Sequence, residues 1–129
     1  MEFNITPGIE GDKETVVTTE KTATAYGSGT VEVFATPAMI ALMEQTAMES
    51  VAKLLPDGFT TVGTEVLVKH LKATLPGKTV NCYSKLILSI ENKLVFEVVA
   101  KDETAVIGKG THTRYIVNKQ DFINNLNDK

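Results

Sequence analysis

Residues 33–51 read VFATPAMIALMEQTAMESV, and the reading of this stretch decides the fold. The stretch predicts a helix. Thr36 is a residue type that favours the N-cap, and Pro37 suits the first helical position. Its end is marked by LLPDG at 54–58, where Pro56 and Gly58 block continuation. On a wheel at about 100° per residue, Pro37, Ile40, Ala41, Ala47, Met48 and Val51 fall within roughly 60° of Glu44. Gln45, Glu49 and Lys53 lie away from that stripe, as solvated residues should. Met39 and Leu42 also lie away from it, which hints at a second contact surface. Glu44 is then the only charge at the centre of the apolar stripe. Burying an unpaired carboxylate is costly, and the usual escapes are a partner or a raised pKa. Two readings stand side by side. Glu44 is a polar residue at a helix edge or in a dimer salt bridge, or it is a desolvated carboxylate acting as general base or nucleophile.

Downstream, the pattern changes to period two. Strands are expected over 60–74, 79–90, 93–101 and 104–117, joined by turns at LPGK (75–78), EN (91–92) and DET (102–104). Gly108 and Gly110 mark a bend or bulge in the last strand, and 119–127 reads as a short closing helix. Upstream, residues 1–14 read as a loosely held lead-in. The Thr-rich stretch 15–25 reads as a first strand, and YGSG at 26–29 as a loop. A helix this apolar must be covered, and a sheet with one apolar face is its natural partner. The expectation is one α+β domain over residues 1–129. Among known folds, long antiparallel strands curling around one central helix make the hotdog arrangement.

Composition excludes several classes. The chain has 129 residues, 43% apolar and 22% charged, so a real core is expected rather than disorder. A net charge of −3 with no Lys/Arg run argues against a nucleic-acid partner. The single cysteine, Cys82, rules out an internal disulfide and a cysteine-rich zinc site. No apolar run approaches the roughly 20 residues of a membrane span. The first residues have neither the basic nor the apolar region of a signal peptide. A soluble, cytoplasmic protein with no membrane partner is expected.

The sheet offers polar company for Glu44. Val62, Thr64, Val66, Val68 and His70 share one parity, which puts His70 on the face toward the helix. A lone histidine there is more often a satisfied core residue than a catalyst. His112 and Arg114 share parity with Val106 and Ile116; the plain alternative for both is an exposed edge or a dimer contact. A capping role alone would explain Thr36, yet free N–H groups and the positive helix end also favour a developing oxyanion or an acyl carbonyl. Thr36 and Glu44 are eight residues apart, about 12 Å along the axis, too far to bond within one helix. If both act on one substrate atom, two chains share the site. The uncovered helix flank and sheet edge also point to a homodimer.

VFATPAMIALME, GFTTVGTEVLVKHLKATLPGKTV and IGKGTHTRYIV resemble the hotdog thioesterases related to fluoroacetyl-CoA thioesterase, from about Val33 to the C-terminus. The resemblance implies catalytic roles for Thr36, Glu44 and His70, and substrate-binding roles for Gly63 and Arg114. It implies hydrolysis of an acyl-CoA thioester at a dimer interface with no metal and no cofactor, coenzyme A being part of the substrate. Two routes remain open. Glu44 attacks or activates water with His70 as proton carrier, or Thr36 is activated by His70 while Glu44 orients the imidazole. Arg114 binds a CoA phosphate or lines the acyl pocket; its parity favours the pocket. There is one departure. The fluoroacetyl-specific enzyme carries an aromatic-rich lid where this chain has a shorter AYGSGTVE (25–32), and Thr30 stands where a lid phenylalanine is expected. Fluoroacetyl-CoA is therefore not expected as the physiological substrate; separately, the acyl group is expected to be short. The alternatives are an acyl-CoA-binding module without turnover, and a hotdog hydratase or dehydratase.

Overall fold

A computed structural model describes residues 3–127. Strand β1 (Glu10–Val16) leads through a 3-10 turn to the four-residue helix α1 (Ala23–Tyr26) and the long helix α2 (Thr36–Ala52). Strands β2 (Phe59–His70), β3 (Thr79–Ile90), β4 (Lys93–Lys101) and β5 (Val106–Asn118) follow, then helix α3 (Lys119–Asn127). The strands form one antiparallel sheet in the order β1-β3-β4-β5-β2. It curls around α2, which packs chiefly on β3 and β1. This is the expected hotdog arrangement.

The helix begins one residue earlier than its cap chemistry suggested. Ala35 is the N-cap, Thr36 is the first helical residue and Pro37 the second. The buried face is Ala38, Met39, Leu42, Met43, Thr46, Ala47 and Val51. That face closes the core with Phe34, Val80, Leu86, Leu94, Phe96 and Val98. So the face of Met39 and Leu42, which looked secondary on the wheel, is the core face. Of the stripe around Glu44 only Ala47 and Val51 are fully buried. Ile40, Ala41, Glu44 and Met48 are half-buried and Pro37 is exposed. A helix that is apolar on two sides gives a wheel no means of choosing which side meets the sheet.

The expected first strand is also displaced. Residues 19–26 form the 3-10 turn and α1, while 10–14, read as loose lead-in, belong to β1. The inward positions of β1 are Gly11, Lys13 and Thr15, so no apolar alternation announces it. Gly11 permits a close approach to α2, since a Cβ there would stand 2.7 Å from Ser50 Cβ. The Lys13 ammonium donates to Glu49 of α2 at 3.1 Å.

Two bulges govern the face that each strand shows to the helix. In β2, Gly63 pairs with Arg114 and Glu65 with Thr113, leaving Thr64 unpaired between them. Val68 packs on the core, and His70 reaches the start of α2, as their parity predicted. Before the bulge the parity reverses. Thr61 is buried and Gly63 faces Glu44, so Val62 turns away from the helix, against expectation. In β5, Ala100 pairs with Gly108 and Lys101 with Val106, so Ile107 is the extra residue, next to the glycine that marked a bend.

Candidate active site

The proposed site residues fall into two groups. The first sits at the N-terminal end of α2. Thr36 Oγ1 lies 2.7 Å from His70 Nδ1, joining the first residue of the helix to the last residue of β2. Thr36 therefore does not cap the helix with its side chain; the hydroxyl is exposed and committed to the imidazole. The Phe34 ring meets His70 edge-on at 6.5 Å between centroids. His70 Nε2 is buried, with no hydrogen-bond partner among the described residues. Burial pulls the His70 pKa below 6.5, partly opposed by the main chain of Lys72, so the neutral imidazole is favoured. The pair lines a cleft of about 340 Å3 with Val33, Pro37, Leu71 and Ser28.

The second group surrounds Gly63. A Cβ on that residue would stand 3.0 Å from Glu44 Oε2, 3.1 Å from His112 Cε1 and 3.3 Å from Arg114 Nη1. Carboxylate, imidazole and guanidinium thus meet beside one backbone position where a side chain would be crowded. Arg114 is buried, as is His112. Arg114 Nε donates to Thr61 Oγ1 at 2.7 Å and Nη2 to the Thr61 carbonyl at 2.8 Å. Nη1 lies 3.1 Å from His112 Nε2, and His112 Nδ1 lies 2.8 Å from the Glu65 carbonyl. Burial lowers the pKa of Arg114, and the nearby Glu44 charge raises it. His112 is lowered first by burial; the Glu65 carbonyl raises it, Arg114 lowers it and Glu44 raises it.

All five expected residues therefore have polar or close-packed company, but one chain does not bring them together. Thr36 and His70 form one group, and Glu44, Gly63 and Arg114 the other. Gly63 and His70 are seven residues apart on β2, roughly 20 Å along an extended strand. His112 is neither an exposed edge nor a surface residue, and Thr61 went unnoticed as the partner of Arg114. The parity that His112 shares with Arg114 was the available signal. Among the described residues, no three His, Cys, Asp or Glu side chains converge as metal ligands, and no helix is long and apolar enough to cross a membrane.

The family model for fluoroacetyl-CoA-specific thioesterases matches residues 17–120, a stretch that holds every residue of both groups. A fluoroacetyl-CoA thioesterase of Streptantibioticus cattleyicolor is 37% identical over 91 residues, which cover 70% of this chain and 66% of that protein, just under two thirds. A solved structure of fluoroacetyl-CoA thioesterase superposes with a TM-score of 0.90 at 31% identity, covering 98% of each chain. A thioesterase superfamily member of Thermus thermophilus superposes with a TM-score of 0.88 at 29% identity, covering 96% of this chain and 92% of that one. On residues matched, coverage and superposition alike, the chain belongs to the fluoroacetyl-CoA-specific thioesterase family of hotdog proteins.

Proposed function

We propose that the protein hydrolyses short acyl-CoA thioesters to the free acid and CoA, in a site completed by a second copy of the chain. The observation that carries this reading is the 2.7 Å contact between the exposed Thr36 hydroxyl and His70, in a cleft that they line with Val33, Phe34, Leu71 and Lys72. A hydroxyl held against an imidazole that favours its neutral form is the arrangement of a nucleophile with its base, or of a base with its orienting group. In one route Glu44 attacks the carbonyl carbon or takes a proton from the water that does; in the other Thr36 attacks after giving its proton to His70, which Glu44 orients, and water later hydrolyses the acyl group from the side chain that carries it. In each the C–S bond breaks as the tetrahedral adduct collapses, and the proton reaches the departing thiolate through His70. Main-chain N–H groups near Gly63, with Arg114 beside them, suit the oxyanion.

The two sheet edges differ in a way that favours a homodimer. β1 carries Glu10, Asp12, Lys13 and Glu14, the charges that protect an edge. β2, the other edge, carries Val62, Val66, Leu67 and Val68, with Leu67 62% exposed. Two β2 strands paired antiparallel about an axis near Val66 and Leu67 set residue 63 of one chain beside residue 70 of the other. The Thr36–His70 pair of one copy then faces the Glu44–Gly63 group of its partner.

The curated relative is a fluoroacetyl-CoA thioesterase. In this chain, residues 25–32 contain a single aromatic residue, Tyr26, which is 48% exposed. That supports an acyl-CoA substrate without selection for fluorine. A free, buried Cys82 suits a cytoplasmic setting. The test is thiol release from a panel of acyl-CoAs by the wild type and by Glu44→Gln. Release by the wild type that is lost in the variant is expected. No release from any member by folded protein would overturn the proposal.

A further inference from the structure

We propose that His112 is a positioning residue for this reaction: it holds the Arg114 guanidinium toward Gly63 and Glu44 from beneath the bulge in β2. The inference rests on the hydrolytic reading above and assigns a role to a residue outside the lining of the Thr36–His70 cleft.

A guanidinium donates and never accepts. The 3.1 Å contact between Arg114 Nη1 and His112 Nε2 therefore requires a lone pair on Nε2. The ring proton is then on Nδ1, where it is donated to the Glu65 carbonyl at 2.8 Å. Both ring nitrogens are committed, and His112, only 1% exposed, is held as one neutral tautomer. Its two partners are not arbitrary. Glu65 directly follows Thr64, the extra residue of the bulge that turns Gly63 toward Glu44. Among the described residues, Arg114 is otherwise hydrogen-bonded only to Thr61, through Nε and Nη2. Without the imidazole, Nη1, the nitrogen 3.3 Å from the Cβ position of Gly63, loses its one acceptor among the described residues. One ring thus ties the guanidinium to the bulge. A fork anchored on three of its N–H groups is preorganised toward a developing charge.

Two substitutions separate the bonds. His112→Gln keeps an amide oxygen near Nε2. His112→Asn keeps an N–H near Nδ1 and removes the acceptor for Arg114. If orientation of Arg114 is the role, Asn lowers kcat about 10- to 100-fold with KM changed less than about threefold, while Gln stays within about threefold of wild type. In an Arg114→Gln background, His112→Asn costs less than about threefold more. An Asn variant within threefold of wild type overturns the proposal, as does a loss that persists in full in the Arg114→Gln background.

A readout independent of activity is 15N NMR of the imidazoles. The chain has two histidines, so a His70→Asn variant assigns both. An Nδ1–H neutral ring for His112, whose Nε2 resonance moves on Arg114→Gln, is expected. An Nε2–H tautomer or an imidazolium at neutral pH overturns the proposal. Wild type that binds acyl-CoA but hydrolyses none would sink the hydrolytic reading alone, because the NMR arm still decides the His112–Arg114 pairing.

Discussion

Consider two inactive chains expressed together, one carrying His70→Ala and the other Glu44→Gln, each with its own affinity tag. Within one chain, the two residues belong to groups separated by about 12 Å along α2 and roughly 20 Å along β2. No side-chain movement closes such gaps, so a shared site takes His70 from one copy and Glu44 from the other. Each homodimer then carries the same lesion at both sites. Loss of a general base or of its carboxylate partner lowers turnover about 100-fold or more, so each parent keeps at most ~1% of wild-type activity. The heterodimer differs. One of its sites combines both lesions, and the other combines an intact His70 with an intact Glu44. Tandem affinity purification should therefore yield a species with about half the wild-type kcat per dimer, some ~50-fold above either parent, and an unchanged KM. Free-thiol release from the best acyl-CoA of the panel is the assay, with light scattering to verify dimers. A purified heterodimer no more active than its parents refutes the shared site. It would mean that each chain assembles its own site by a rearrangement absent from the structure.

Three further outcomes follow from the same geometry. Gly63→Ala places a methyl carbon 3.0 Å from Glu44 Oε2 and 3.1 Å from His112 Cε1. Carboxylate and imidazole must shift by a few tenths of an ångström, and kcat should fall about 100-fold while thermal unfolding shifts little; equal kcat would refute the crowding. Thr36→Ala should cost below about 0.5 kcal/mol of stability by denaturant titration, because the side chain caps nothing. Its kcat separates the two routes: near-total loss, with an acylated threonine trapped in wild type by mass spectrometry, indicates nucleophilic attack by Thr36. Finally, burial lowers the pKa of both histidines from 6.5. Folding then favours the neutral rings, so their contribution to stability is whole above pH 6.5 and is lost as pH falls through the lowered folded values. The acid limb of kcat/KM should likewise lie below pH 6.5, and a limb above it would contradict a buried His70 base.

The parts of this molecule legible in its sequence are those where one physical requirement acts alone. β3 and β4 carry apolar residues at alternate positions between short polar turns, and their bounds, Thr79–Ile90 and Lys93–Lys101, match the reading to the residue. β1 was misplaced because its inward side chains serve contacts rather than burial: Gly11 makes room for α2, and Lys13 pairs with Glu49. The site was half legible for the same reason. Thr36, Glu44 and His70 stood out by residue type, but the environment inferred for Glu44 was wrong. The core lies on the Met39–Leu42–Thr46 side, and Glu44 occupies the helix's other apolar side, half-buried toward Gly63. A wheel measures apolarity and cannot say which of two apolar faces is the inside. Thr61, and the buried setting of His112, stayed hidden because the β2 bulge at Thr64, which brings Gly63 and Thr61 to the helix side, has no signature in side-chain type. The second apolar face is itself the informative feature. A monomer needs one such face on α2. Another, bearing a carboxylate beside a buried arginine, makes sense when the helix serves its own core on one side and a shared reaction site on the other.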